Sequence, residues 1–234
     1  MTPVRAVFGD TGREMGTPKI EEIVSALEDD IVFGRLKPRE HLTEDDLIGR
    51  FGIKRHMVRQ ALIELERKGI VVREPYRGTR VRDFSLREIE QIYDFREKLH
   101  RWAAELMPLP ADPALVQRLK DLHRHHGKAV RDGNLREINQ IDHEFHKALF
   151  EACGNQFLTQ TISRMLWLSA AMRSYPLADS ELRAVTRKEH AEIIDALIAA
   201  DRQKLIKLSA GHLRHSKKAY TDAIRFMHAG TEGR

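Results

Sequence analysis

The chain of 234 residues reads as a mainly α protein, an N-terminal winged helix-turn-helix followed by an antiparallel bundle of six helices. Three observations point there. Residues 42–81 run in the order short polar helix, glycine turn, basic helix, glycine-tipped hairpin. Beyond Ser85, apolar residues recur at helical spacing between capping sequences. In that second half no segment shows the sustained alternation, bounded by turn signals, that strands require.

Residues 1–16 contain four glycines or prolines and little periodicity, and are expected to form a mobile arm with Arg5 and Arg13 as its cations. Residues 17–84 form the expected winged unit. A helix covers Lys19 to Phe33. Thr43 can cap a second helix over Asp46, and Phe51-Gly52-Ile53 supplies the turn. In the third helix Val58, Ala61, Leu62 and Leu65 make a buried i, i+3, i+4, i+7 stripe. Its free positions, Arg55, His56, Arg59 and Gln60, lie near the N-terminal end, where a recognition helix offers side chains to base edges in the major groove. Charge supports a DNA partner. Residues 17–49 carry four Lys/Arg against nine Asp/Glu, and residues 50–82 carry ten against three. Arg50, Lys54, Arg73, Arg77, Arg80 and Arg82 surround the reading helix, as phosphate neutralisation requires.

Residues 85–228 form the expected helical domain, leaving 229–234 as a tail. Ser85-Leu86-Arg87-Glu88 is a capping box opening a helix with Ile89, Ile92, Tyr93, Arg96 and Leu99 near one face. Pro108 and Pro110 stop it, and Asp112-Pro113 starts the next. Gly133 ends that one, and Asn134 to Glu137 caps another. Further helices are expected over 156–173, 180–199 and 201–226.

Composition sets limits. The net charge is only +5, and 41% apolar content suffices for two modest cores. No apolar run approaches the roughly 18 residues of a membrane span, and Met1 to Gly16 lacks an apolar h-region, so a cytoplasmic protein is expected. The lone Cys153 cannot form an internal disulfide and reads as packing at a helix end.

Four residues interrupt the apolar stripes of the bundle. Asp142 shares a face with Ile138, Ile141, Phe145 and Leu149, and His146 lies one turn on. His190 precedes Ile193, Ile194 and Leu197, while His212 continues the line of Leu205 and Leu208. A carboxylate on such a face needs a partner, because desolvating it alone costs several kcal/mol. His190 and His212 lie equally far from Asp201, the expected cap of a helix hairpin, and so stand level, each about 16 Å from the turn. One carboxylate oxygen and three imidazole nitrogens suit Zn²⁺, Ni²⁺, Mn²⁺ or Fe²⁺.

Two resemblances follow from these residues. Helix 19–33, Gly34 to Pro38, Leu42-Thr43-Glu44, Phe51-Gly52-Ile53, Arg55, Val58 to Leu62, Gly69-Ile70-Val71 and Gly78 to Val81 resemble the GntR family of bacterial regulators in order. The resemblance implies that Arg55 and Arg59 contact bases or backbone and that Gly78 sits at a wing tip near the minor groove. Arg39 stands where that family usually has glycine, Lys54 where it has serine or threonine, and His56-Met57 where it has small residues. The second half resembles the FCD domain, the helical ligand-binding half of the FadR subgroup. The likeness is carried by Asp142 to His146, Phe150 to Asn155 and Glu189 to Ile193. It implies a metal held by Asp142, His146, His190 and His212 beside a pocket for a small organic acid.

The expected protein is a DNA-binding transcriptional regulator, a repressor rather than an enzyme. It should be a homodimer, because one wing and one short helix read only half of a pseudo-palindrome. Arg96 is the candidate clamp for an effector carboxylate. Two alternatives stand beside this reading. In one, the metal is structural or is itself the signal. In the other, the site is a metal-dependent hydrolase, although His143-Glu144-Phe145-His146 has one residue too few for the His-Glu-x-x-His spacing, and helical phase turns His143 away.

Overall fold

The computed structural model describes residues 18–174 and 179–229, so the expected arm and nearly all of the expected tail lie outside the described residues. The N-terminal part is α1 (Ile20–Val32), β1 (His41–Leu42), α2 (Glu44–Phe51), α3 (Arg55–Arg67), β2 (Val71–Glu74) and β3 (Gly78–Val81). The strands form an antiparallel sheet in the order β1-β3-β2, with Val71 opposite Val81 and Glu74 opposite Gly78. This is the winged helix-turn-helix, and its local causes are visible. Thr43 Oγ1 accepts the Asp46 amide, and Gly52 closes α2 at φ 64°, a conformation that favours glycine. Val58, Ala61, Leu62 and Leu65 bury the inner face of α3 against Ile23, Leu27 and Ile31 of α1. Arg39 adopts φ 69°, which explains why glycine suits that position in the family it resembles. Its Nε is tied to Asp83 Oδ2 at 2.6 Å.

The helical part contains α4 (Leu86–Leu106), α5 (Pro113–Asp132), α6 (Leu135–Glu151) and α7 (Gln156–Leu168). It continues with α8 (Ala170–Ser174), α9 (Ser180–Ile198), α10 (Arg202–Gly211) and α11 (Arg214–Ala229). Four of the six expected helical runs are continuous. The run over 156–173 breaks at Ser169, whose hydroxyl bonds the Met165 carbonyl at 2.6 Å. The run over 201–226 breaks at His212-Leu213. Each expected cap works: Ser85 accepts from Glu88 N, Asp112 from Ala114 N, Asn134 from Glu137 N and Asp201 from Lys204 N. Leu99, Ala103, Phe145, Leu149, Ile162, Ile193, Leu197 and Leu205 fill the core. Removing one such leucine costs about 2–5 kcal/mol in comparable cores.

The two parts touch along α1, α6, α7 and α8. Arg136 on α6 reaches Asp29 Oδ2 at 2.7 Å and Ser25 Oγ at 3.1 Å, both on α1. Lys68, ion-paired with Glu28, sits 3.9 Å above the Trp167 ring of α7. Gly69 has φ 77°, and a Cβ there would lie 2.7 Å from Leu168 Cδ1. The chain therefore passes close against the bundle at a point where the left-handed backbone favours glycine and a side chain would crowd Leu168. No helix is long and apolar enough to cross a membrane among the described residues.

Candidate functional site

Two sites emerge, one on each half. The first is the outer face of α3. The Thr43 cap sets α2 so that Glu44 and Asp45, in its first turn, meet the first turns of α3. Arg55 Nη1 donates to Glu44 Oε2 at 2.8 Å, and Arg55 Nη2 to Asp45 Oδ1 at 2.6 Å. Arg59 Nε donates to Glu44 Oε1 at 2.8 Å. The Arg59 and Arg55 hydrogen bonds hold the Glu44 carboxyl below its usual range. His56 and Gln60 are exposed on the same face.

Between this face and the wing lies a groove of about 680 Å³, lined by Arg55, Arg59, Arg73, Tyr76, Arg77 and Gly78 among others. Gly78 has φ 82° at the hairpin, and Arg77 is exposed with no ion-pair partner among the described residues. The other surrounding arginines are less free than their charges suggest. Arg80 is held by Glu74, Nε to Oε1 at 2.8 Å, and Arg50 by Asp30 at 2.5 Å. Arg82 lies 3.6 Å from Glu88 and over the Phe84 ring. Sequence reasoning missed Glu44, Asp45 and Glu74 as partners, since their separations of 6 to 15 residues follow no single-helix period. It also missed Tyr76, a fully exposed aromatic held at φ 63° on the wing tip.

The second site lies inside the bundle. Asp142 and His146 are on α6, His190 on α9, and His212 caps the end of α10. The four offer ligand atoms all within 4.8 Å of one another. The helix-hairpin argument thus placed His190 and His212 side by side, with ring centroids 4.9 Å apart. Phe145 stacks on His190 at 4.1 Å and 15°, fixing that ring. His212 Nδ1 meets Glu189 Oε2 at 2.7 Å, which puts its other nitrogen, Nε2, toward the centre as a carboxylate partner does for a ligating imidazole. His212 Nε2 and His146 Nε2 are 3.1 Å apart. His190 Nε2 is buried with no hydrogen-bond partner. A cation among these atoms would take a nitrogen lone pair from each imidazole and an oxygen of Asp142, replacing the hydrogen bond that His146 and His212 share, so the donors fit a divalent ion.

The carboxylate has a partner that sequence reasoning did not foresee. Arg173 on α8 donates from Nη1 to Asp142 Oδ2 at 2.5 Å, whereas His146 and His190 stand 3.6 and 3.5 Å from Asp142 Oδ1. Burial alone would raise the Asp142 pKa, but His146, Arg173 and His190 together hold it well below the usual carboxylate range. Burial pushes His146 down to about 4 and His190 well below its ordinary value, so both rings are neutral and able to ligate.

Arg96, on the inner face of α4, is 1% exposed, and its Nε and Nη1 have no acceptor. Burial pushes its pKa down to about 10. It lines a cavity of about 30 Å³ with Asp142, His146, Arg173 and His212. His143 points elsewhere, against Trp167 at 4.5 Å, as helical phase requires.

Residues 19–81 match the family described as bacterial regulatory proteins, gntR family, and residues 91–215 match the FCD domain. An HTH-type transcriptional regulator in an unstable DNA locus of Streptomyces ambofaciens is 27% identical over 221 residues, covering 94% of this chain and 88% of the relative. The HTH-type transcriptional repressor RspR of Escherichia coli K12 is 23% identical over 201 residues, covering 84% and 86%. Among solved structures, E. coli McbR/YncC superposes with a TM-score of 0.74 at 19% identity, over 88% of this chain and 98% of that one, and so shares the fold.

Proposed function

The chain belongs to the GntR family of transcriptional regulators and carries an FCD domain, and from that premise we propose a homodimeric repressor. Its affinity for a pseudo-palindromic operator is controlled by a small organic acid bound beside a divalent metal. Members of this family bind DNA and are not enzymes, which sets aside the hydrolase reading.

One observation carries the proposal: a convergent Asp142, His146, His190 and His212 set lies beside the buried Arg96 guanidinium, whose Nε and Nη1 lack an acceptor. The four side chains would hold the ion through one oxygen and three nitrogens. The bound ion would supply positive charge that attracts a carboxylate. Arg96, whose Nε and Nη1 have no acceptor, would donate a charge-assisted hydrogen bond to the carboxylate. On the DNA side, Arg55, His56, Arg59 and Gln60 would face base edges, while Arg77, Gly78 and Arg80 on the wing would follow the backbone.

Elemental analysis after reconstitution tests the metal: one ion per chain is expected in the wild type, and none in the His190→Ala, His212→Ala double variant. No stoichiometric ion, or full retention in the double variant, would leave these histidines as packed core residues. Calorimetry with a panel of small carboxylates, with and without operator DNA, tests the coupling. The two ligands must change each other's affinity by the same factor, typically worth about 1–3 kcal/mol.

A second reading, in which the metal is structural or is itself the signal, is favoured by the cavity beside the site, whose 30 Å³ admits little more than a water. Release of DNA by an organic acid at saturating metal separates the two.

A further inference from the structure

We infer that Arg59 alone reads guanine by a paired hydrogen bond, with Glu44 as its positioning residue and Arg55 as a brace between α2 and α3. This rests on DNA binding by the outer face of α3 and divides the labour there.

The guanidinium has a side edge, which includes Nε, and an end-on fork of Nη1 and Nη2. Arg59 spends only its Nε on Glu44, and neither of its terminal nitrogens has a protein acceptor among the described residues. Its fork is therefore open, and one end of the side chain is already fixed. Arg55 is engaged the other way: Nη1 is taken by Glu44 and Nη2 by Asp45, two acids on the preceding helix. Presenting that fork to a base would break both bonds. Glu44 is 28% exposed and uses both oxygens, one on each arginine, so it positions the pair as a unit.

A fork of two donors matches the two acceptors O6 and N7 of guanine. Adenine offers N7 beside the N6 donor and rejects it. A fork held in place loses less side-chain freedom on binding, which favours the correct base over a chance phosphate. Glu44 and Asp45 also offset the charge of Arg55 and Arg59, so the reading face attracts random DNA weakly until the fork finds its acceptors.

The test uses the full-length protein and the duplex it selects from a random-sequence pool. Failure to enrich any sequence would refute sequence-specific DNA recognition itself, and is thereby distinct from failure of the inference. Each guanine of the selected duplex is then replaced singly by 7-deazaguanine, which removes the N7 acceptor. At least one guanine per half-site is expected to lose about tenfold in affinity.

Arg59→Lys, which keeps charge without the fork, should make that replacement silent. Arg55→Lys should weaken binding while preserving the whole 7-deazaguanine penalty. Glu44→Gln should raise affinity for random duplex, steepen the salt dependence by about one unit, and narrow the ratio of selected to random binding. The inference is overturned if no guanine responds, if the penalty vanishes in Arg55→Lys and survives in Arg59→Lys, or if Glu44→Gln leaves both the ratio and the salt slope unchanged. All three side chains lie on the protein surface, and far-UV circular dichroism verifies that each variant is folded.

Discussion

Asp142 is buried beside the imidazoles of His146 and His190, and Arg173 leans on it directly. Asp142→Asn would leave that guanidinium buried without a counter-charge. A loss of about 3–5 kcal/mol of stability is expected in the metal-free protein, since breaking one partner of a buried pair costs that much. Denaturant melts check it, and an Asp142→Asn, Arg173→Met double variant should recover part of the loss. A pH dependence follows from the buried imidazoles. His143 and His146 are held near 4, and His100 and His190 well below their ordinary value, chiefly by burial. The native state keeps them neutral, whereas the unfolded chain takes up protons below about 6.5. Stability of the chelator-treated protein should therefore fall as pH drops from about 6.5 toward 4. Asp142 does not act in that window, because its depressed pKa retains its contribution until the pH falls lower still. A melting temperature constant from pH 7 to 4 would contradict this. The four candidate ligands were legible because polar residues interrupted apolar stripes at helical spacing. Arg173 was not, since it lies beyond a break that no glycine or proline announces, and nothing in its neighbours marks it as inward-facing.

α6 presents two working faces. One offers Asp142 and His146 to the interior, and its first turn sends Arg136 across to Asp29 and Ser25 on α1. The helix thereby joins the four candidate ligands to the winged half. Arg136→Ala should change global stability by about 1 kcal/mol, because a pair whose cation is solvent-exposed contributes little. It should nevertheless shrink the difference in DNA affinity between metal-loaded and chelated protein. Fluorescence anisotropy of labelled operator in both states measures it, and an undiminished difference would exclude this path. At this scale the sequence was most readable. Thr43, Ser85, Asp112, Asn134 and Asp201 each cap the helix they were expected to cap. Caps depend on neighbours within three residues, so local sequence specifies them. The breaks at Ser169 and His212-Leu213 depend on packing between distant helices, and the periodicity runs through them unchanged.

For the whole molecule, the order winged half then bundle was legible from motif order, but the way the halves meet was not. That seam runs past Gly69, whose left-handed backbone disfavours any side chain and where an added methyl group would crowd Leu168 Cδ1 at 2.7 Å. Gly69→Ala should lower stability by about 1–3 kcal/mol through backbone strain and crowding. Much of that loss should come from the seam, seen as faster amide exchange in α1 and α7 than in α5. Uniform change across all helices would argue against a local seam. The seam also contains its own optical probe. Only two tryptophans occur in the chain. Trp102 is half-exposed on α4, whereas Trp167 has the Lys68 ammonium from the winged half above its ring and His143 against it. In a Trp102→Phe protein, the emission maximum and lifetime of the remaining indole would report, without any attached dye, each time the two halves part or close.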